Sequence, residues 1–354
     1  MRSLEVVLLA VAAVVLVIVA IPRFGDRRWA AGLTAVPIVV GAVQLVAEGF
    51  RWQMVPAYAS ALSLPAVRLL FRSVRRQRVI QILRVAGVAL YAILLAVSVT
   101  LPALVPVFHF PAPTGPYRIG TLTYHWSDPR PEPLTADPAD HRELMAQVWY
   151  PAEPAPGAAR APYLDDADAV TPALAELTGL PSFLFHHFRY VTTNAVPAAP
   201  IAGALGRYPV LVYVPGLYGF RSVSTFQVEE LVSQGYIVVG LDQPGVVATV
   251  VLPGGRTVRN LPFDVIDPLV DQAVERQPAT VSLDGVAQQE GLVPFFAQDV
   301  RLALDQLTRI DAADPRGVLT GHLDLSRIGI FGVSLGAGSR PSPVGGTPGS
   351  RPAS

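Results

Sequence analysis

The sequence has no cysteine and no lysine among its 354 residues. Without cysteine, the chain forms no disulfide and no thiolate metal site. Arginine supplies all 27 basic residues, which balance 27 acidic ones, so the overall charge does not favour a nucleic-acid partner. The chain also lacks a P-loop and a G-x-G-x-x-G motif, and no histidine has a companion carboxylate at metal-ligand spacing. We therefore expect neither a cofactor nor a metal.

Charge is also scarce in the first third of the sequence, where long apolar runs occur. A helix of about 20 consecutive apolar residues is long enough to cross a bilayer. We predict a membrane domain over residues 1–110 with three transmembrane helices, near 4–21, 29–47 and 85–108. A signal peptide is the alternative for the first run, but Pro22 and Arg23 follow it where a cleavage site needs small residues. A shorter run at 53–67 contains two prolines and is predicted to be interfacial.

Arginine is distributed unevenly around these runs. The first loop has Arg23, Arg27 and Arg28, whereas the segment before the third run has seven: Arg51, Arg68, Arg72, Arg75, Arg76, Arg78 and Arg84. Positive residues favour the cytoplasmic side, and a membrane surface explains the cluster better than nucleic acid does. We expect a multi-pass protein of the cell membrane whose remainder, after residue 110, is extracytoplasmic.

A G-x-S-x-G motif lies near the C-terminal end, at Gly332-Val333-Ser334-Leu335-Gly336. The apolar run 327–331 precedes it, as expected of a buried strand that leads into a sharp turn. Such a turn exposes the serine hydroxyl as a nucleophile, and the N–H of Leu335 would face a developing oxyanion. A turn without chemistry is the alternative, since five-residue motifs also occur by chance.

Upstream residues supply the rest of a βαβ pattern. Residues 208–214 and 235–242 are predicted strands, and 223–234 is a predicted helix between them. The glycine-bearing loop Pro215–Phe220 follows the first strand, where a hydrolase places its second oxyanion donor, and the Leu217 N–H is our candidate. Apolar residues spaced by three and four predict a helix around 296–307. Residues 117–126 and 142–150 are predicted to form an antiparallel pair.

Several of these segments resemble the platelet-activating-factor acetylhydrolase-like branch of the α/β-hydrolases. The resemblance covers roughly residues 117–338 and is most specific at the strand end 148–151 and at the strand and loop 209–221. It implies an α/β-hydrolase domain over 111–338 that hydrolyses lipid or short acyl esters, with Ser334 as nucleophile. The family more often has His-Gly where this chain has Pro215-Gly216, so a histidine side chain that commonly supports the loop is absent.

The same resemblance implies a catalytic acid and histidine after the serine, and this sequence contains neither. Residues 335–354 have no Asp, Glu or His and are rich in Gly, Pro, Ser and Arg. We therefore interpret the chain as C-terminally truncated or frameshifted, with an incomplete sheet, a disordered tail at 339–354 and impaired catalysis. We expect the acid and the base to be encoded downstream in another frame.

All six histidines precede the serine: His109, His125, His141, His186, His187 and His322. We interpret them as structural or surface residues, so the triad base is unassigned. We expect five upstream carboxylates to be caps, loop residues or solvated helix positions, which leaves the triad acid unassigned too: Asp242, Asp264, Asp267, Asp271 and Asp299. The alternative to an impaired serine esterase is a non-catalytic membrane protein with a degenerate hydrolase-like binding region.

Overall fold

The structure is a computed structural model that describes residues 1–21, 29–73, 77–132, 137, 139–204, 206–274, 281–283, 286–288 and 292–334. The chain divides into two compact units. The N-terminal unit comprises residues 1–108 and 183–190, and the second unit comprises 109–182 and 191–354. The predicted tail at 339–354 lies outside the described residues.

Helices make up the N-terminal unit. They are α1 (Ser3–Ala20), α2 (Trp29–Leu33), α3 (Val36–Glu48), α4 (Val55–Ser73) and α5 (Gln77–Leu104). Two stretches within them are long and apolar enough to cross a membrane, Trp29–Glu48 and Gln81–Leu104. The prediction of three such helices is wrong on this criterion, because the apolar part of the first ends after 17 residues, at Ser3–Val19.

Polar contacts show that successive long helices of this unit run in opposite directions. The backbone N–H of Leu4, at the start of α1, donates to Oε1 of Glu48, at the end of α3, over 2.8 Å. The Arg51 guanidinium, just before α4, donates to the carbonyl of Val105, just after α5, also over 2.8 Å. The start of α1, the end of α3, the start of α4 and the end of α5 therefore lie at one end of the helical unit.

An apolar interior supports the same arrangement. Leu8 of α1 is clustered with Met54 and Ala57, whereas Val15, further along α1, is clustered with Leu64, further along α4. Helices α1 and α4 thus run side by side in the same direction. The C-terminal ends of α1 and α4 consequently lie at the opposite end of the unit from Arg51.

The second unit is a mixed α/β fold built on a six-stranded sheet. Its strands are β1 (Arg118–Pro131), β2 (His141–Ala152), β3 (Val196–Pro197), β4 (Tyr208–Val214), β5 (Ile237–Asp242) and β10 (Leu323–Gly332). Their order across the sheet is β10-β4-β5-β2-β1-β3. Strands β10, β4 and β5 are parallel, and β2 is antiparallel to both β5 and β1. The predicted antiparallel pairing of the two early strands is confirmed.

Helices and small hairpins surround this sheet. The helices are α6 (Ala167–Thr178), α7 (Thr225–Ser233), α8 (Phe263–Val274) and α9 (Leu292–Ala312). The hairpins are β6 (Thr249–Val251) with β7 (Thr257–Arg259), and β8 (Val281–Leu283) with β9 (Val286–Gln288). The apolar face of α9, through Val300 and Leu307, is buried with the strand residues Val210 and Val212. This burial explains the spacing that predicted the helix.

A buried ion pair joins α9 to β2. Arg142 and Asp299 are both fully buried, and the guanidinium donates twice to the carboxylate, over 3.2 and 2.8 Å. Asp299 also accepts hydrogen bonds from Arg130 and Gln243, and Arg142 donates to the carbonyl of Pro244. The sequence interpretation of Asp299 as a cap, loop or solvated position is therefore wrong, because its side chain is buried against Arg142 of strand β2.

Replacement of Asp299 by alanine should lower the free energy of unfolding by about 3–5 kcal/mol, because it removes the carboxylate that accepts two of the hydrogen bonds of the buried Arg142. Urea unfolding of the detergent-solubilised chain, followed by tryptophan fluorescence, measures this. Asp305→Ala, on the exposed face of the same helix, is the matched control and should change little. An equal effect of the two substitutions would contradict the importance of the buried pair.

Candidate active site

The G-x-S-x-G motif lies at the carboxyl end of β10. Gly332 pairs with Val214, the last residue of β4, so Val333 and Ser334 leave the sheet beside the start of the loop that follows β4. Ser334 is exposed and has φ of 55°, in the left-handed region that residues with side chains seldom adopt. This strained backbone at the serine is what a strand-to-helix nucleophile turn requires.

The loop after β4 lies directly against the serine. A Cβ built on Gly216 would be 2.7 Å from the carbonyl oxygen of Val333 and 3.1 Å from the Cβ of Ser334. Only glycine permits this approach, because real Cβ contacts do not reach 2.7 Å. The close contact explains in physical terms why glycine occupies position 216.

Hydrogen bonds hold this loop in place from two sides. Tyr218, at φ of 61°, donates its N–H to the carbonyl of Val246 over 2.7 Å, and Gly219 donates to Gly216 over 2.9 Å. The Leu217 side chain contacts the apolar cluster that includes Val246 and Phe296. Within the described part of the chain, no acceptor is bonded to the Leu217 N–H. This donor lies beside the serine's neighbour Gly216, while Leu335 lies outside the described residues.

Asp242 fixes the far end of the loop. Its carboxylate accepts two hydrogen bonds from Arg221, from the backbone N–H and from the guanidinium, each over 2.5 Å. Burial raises the pKa of Asp242, against the lowering effect of the arginine. The expectation that Asp242 is a cap, a loop residue or a solvated position is therefore wrong, because its side chain is buried at the carboxyl end of β5 and anchors the loop by an ion pair.

Two further carboxylates, on helix α8, act on the Tyr218 hydroxyl of this loop. Asp264 and Asp267 are exposed on α8, whose first residue, Phe263, has its ring 6.5 Å from that of Tyr218. Burial and then these two carboxylates raise the pKa of the Tyr218 hydroxyl. Asp271, further along α8, is exposed as well, so the expectation of solvated positions is confirmed for all three.

Three histidines of the second unit, His125, His141 and His322, lie away from the serine. His322 immediately precedes β10, and its Nδ1 is 2.6 Å from the carbonyl oxygen of Gly206. It therefore lies at the amino end of β10, roughly 30 Å from Ser334 for a ten-residue strand. His125 is on β1, four strands from β10, or about 19 Å across the sheet, and contacts Glu143. His141 begins β2, three strands from β10, and His109 precedes β1.

His186 and His187 belong to the N-terminal unit. Burial lowers the pKa of His187, whose Nδ1 is 2.9 Å from the carbonyl oxygen of Leu184. Among the described residues, no three His, Asp or Glu side chains form a group that could hold a metal ion.

The sequence indicated the serine and the glycine loop, but it missed the residues that support them. Tyr218 is one, since nothing in its local sequence indicates a positive φ. Arg142 is another, although a charged residue in an otherwise apolar strand is a signal that sequence reasoning could have used. The geometry brings a strained serine and a backbone donor loop together, which is the arrangement for attack on a carbonyl with oxyanion stabilisation.

Replacement of Gly216 by alanine should displace the loop or the serine, because the new methyl group would overlap the carbonyl of Val333. A misplacement of about 1 Å can reduce reactivity about 100-fold. We expect the rate at which a fluorophosphonate labels Ser334 to fall at least tenfold. Gly203→Ala, at a position with open space around the Cβ, is the matched control. Equal labelling of both variants and the parent chain would rule out the close contact.

Comparison with known proteins relates residues 104–250 to the family of platelet-activating factor acetylhydrolase, isoform II. A ferulic acid esterase from Streptomyces cinnamoneus is a solved structure similar to the chain, with 26% identity and a TM-score of 0.44. That alignment covers 65% of this chain and 56% of the esterase, so the chain spans little more than half of that protein's length. No curated protein matches the chain. The match over 104–250 supports a platelet-activating-factor-acetylhydrolase-like α/β-hydrolase family for this protein.

Proposed function

We propose that the second unit is a carboxylic ester hydrolase of the serine type, with Ser334 as nucleophile and the N–H groups of Leu217 and Leu335 as oxyanion donors. The contact between Gly216 and the strained Ser334 is the observation that carries the proposal. The family match supports the reaction class. The proposed substrates are lipid or short acyl esters, of the kind that an acetylhydrolase cleaves.

In the reaction, the Ser334 hydroxyl attacks the ester carbonyl and loses its proton to a base. The carbonyl oxygen becomes an oxyanion that the two backbone N–H groups stabilise. The C–O bond to the alcohol then breaks, and water releases the acyl group from the serine in a second attack. A histidine normally accepts the first proton. Neither His125 nor His322 reaches Ser334, so we propose that this 354-residue chain turns over esters slowly.

A non-catalytic, hydrolase-like binding region is the second candidate. The positions of His125 and His322 favour it, since a serine without a base is a poor nucleophile. The strained conformation of Ser334 favours the esterase, because residues with strained backbones cluster at active sites. Covalent labelling distinguishes the two, since a fluorophosphonate reacts only with an activated serine.

Ser334→Ala should abolish fluorophosphonate labelling and lower the hydrolysis of short-chain p-nitrophenyl esters to what binding and the backbone donors supply. We expect the parent chain to retain only a residual rate, about 10³–10⁴ above water at most, as when triad members are removed. Ser326→Ala, at the exposed start of the same strand, is the matched control and should behave as the parent. Labelling that persists in Ser334→Ala would exclude this serine as the nucleophile.

Efficient turnover that depends on Ser334 would contradict the proposed impairment, though not the proposed nucleophile. It would require a base from among the six histidines. Single replacement of each histidine by glutamine would then identify that base.

We further propose that the N-terminal unit lies in the cell membrane with the hydrolase outside. The two apolar stretches, in α2–α3 and in α5, support this. We propose that α1 and α4 cross the membrane too, because they run antiparallel to these stretches within the same unit. In this arrangement, the C-terminal ends of α1 and α4 lie at one end of the unit. In sequence, Arg23, Arg27 and Arg28 come after α1, and Arg75, Arg76 and Arg78 come after α4. That end is then cytoplasmic, and residues 105–110, which follow α5 at the other end, lead to the exterior.

Reporter fusions test this topology. Fusions after residues 25 and 76 should both report the cytoplasm, and fusions after 50 and 115 should both report the exterior. The fusion after residue 25 is decisive, because three spans would place the first loop and the seven-arginine segment on opposite sides. A cytoplasmic signal after residue 115 would contradict the proposed orientation.

A further inference from the structure

A small cavity of the N-terminal unit is lined by residues whose side chains include several hydrogen-bond donors. Its volume is about 40 Å³, and its lining comes from two stretches of sequence. The first is the connection between α3 and α4, and the second is the 3-10 helix Ser182–Tyr190. The residues that the argument uses are Arg51, Trp52, Gln53, His186, His187 and Arg189. All of them belong to the same compact unit.

Three neighbouring residues of the lining each have a buried N–H group without an acceptor among the described residues. These groups are Nε of Arg51, Nε1 of Trp52 and Nε2 of Gln53. Gln53 is 1% exposed and Arg51 is 2% exposed. A buried polar group without a partner costs about 1–3 kcal/mol, so three in succession around one cavity call for a common acceptor.

Both Nη atoms of Arg51 have acceptors, which fixes the orientation of its guanidinium. Nη1 donates to both carboxylate oxygens of Glu5, over 3.1 and 3.0 Å, and Nη2 donates to the carbonyl of Val105 over 2.8 Å. The side chain is therefore held from one side, and Nε is the atom left over. In the same unit, Oε2 of Glu48 is also buried without a hydrogen-bond partner. Glu48 lies outside the lining, and Nε of Arg2 is 3.7 Å from this oxygen.

The Trp52 ring is positioned independently of its N–H group. It makes an edge-on contact with Phe183, with ring centroids 4.8 Å apart. The opposite wall is fixed by Tyr190, whose hydroxyl donates to the carbonyl of Phe50 over 2.5 Å and whose ring lies 4.5 Å from the Arg2 guanidinium. The cavity thus has rigid walls, and its donors are held in place before any ligand binds.

The chemistry of the lining selects the ligand. Guanidinium and indole groups donate hydrogen bonds and never accept them. Arg2, Arg51 and Arg189 outnumber Glu5 and Glu48 in and around the cavity, so its surroundings favour an anion. A carboxylate offers two oxygens, whereas three donors from three residues suit a tetrahedral oxyanion with more. A volume of about 40 Å³ accommodates about three water-sized centres, enough for a phosphate group and too little for a whole lipid headgroup.

We propose that this cavity binds a phosphate group, through Arg51, Trp52 and Gln53, with His186, His187 and Arg189 around it. The phosphate is either that of a phospholipid, whose remaining headgroup and chains stay outside the cavity, or free inorganic phosphate. The site is separate from the proposed ester hydrolase activity and does not depend on it.

Trp52→Phe is the sharpest test, because it removes one N–H group and keeps a ring that contacts Phe183. We expect it to weaken the binding of inorganic phosphate to the delipidated full chain about 5–10-fold, as measured by isothermal titration calorimetry in detergent. Gln53→Leu should weaken binding by at least as much. Trp149→Phe is the matched control, since Nε1 of Trp149 is also buried without a partner but lies outside this lining.

Native mass spectrometry of the chain as purified distinguishes the two sources of phosphate. A phospholipid retained by the parent and by Trp149→Phe, but lost from Trp52→Phe and Gln53→Leu, supports the lipid. If no lipid is retained and the affinity for inorganic phosphate falls only in the two cavity variants, the result supports free phosphate. The variants are compared only where they keep the parent's melting temperature. If the parent chain binds no phosphate and retains no phospholipid, the proposal is wrong, and ordered water is the acceptor.

Discussion

The buried ion pair between Arg142 and Asp299 connects the core of the hydrolase unit to its candidate active site. Asp299 accepts from Gln243, and Arg142 donates to the carbonyl of Pro244, so the pair holds the segment that follows β5. Val246, in that segment, donates to Gln243 and accepts from Tyr218. The Tyr218 loop in turn places Gly216 against the serine. A charge interaction in the core therefore supports the loop that carries Leu217, the proposed oxyanion donor.

Such a pair is stabilising only when its hydrogen bonds are complete, because both charges have lost their hydration. Here the carboxylate accepts from two arginines and a glutamine, and Arg142 has a second carboxylate, Glu132, at 2.9 Å. Arginine suits this role better than lysine, since its planar group bonds one carboxylate with two nitrogens. The absence of lysine from the whole chain is consistent with charges that are paired in this way.

The N-terminal unit uses the same interaction for a different purpose. Glu5 and Arg51 are buried and paired, and they join the start of α1 to the connection before α4. The pair also leaves Nε of Arg51 beside a cavity with two further unpartnered donors. One buried pair thus closes its network within the protein, whereas the other leaves donors for a ligand. This difference is the physical basis of the proposed phosphate site.

The sequence by itself determined the elements that depend on neighbours along the chain. Apolar runs predicted β4, β5 and β10, spacing of three and four predicted α9, and the motif around Ser334 placed a serine at a strand end. Only the tertiary structure decided which residues meet across the sheet and the helices: Gly216 with Ser334, Asp299 with Arg142, and Glu5 with Arg51. It also decided that α1 and α4 run in the same direction, and that residues 183–190 belong with the helices. The physical reason is that period and propensity are local properties, whereas a buried charge or a missing Cβ is explained only by the atoms that another part of the chain brings to it.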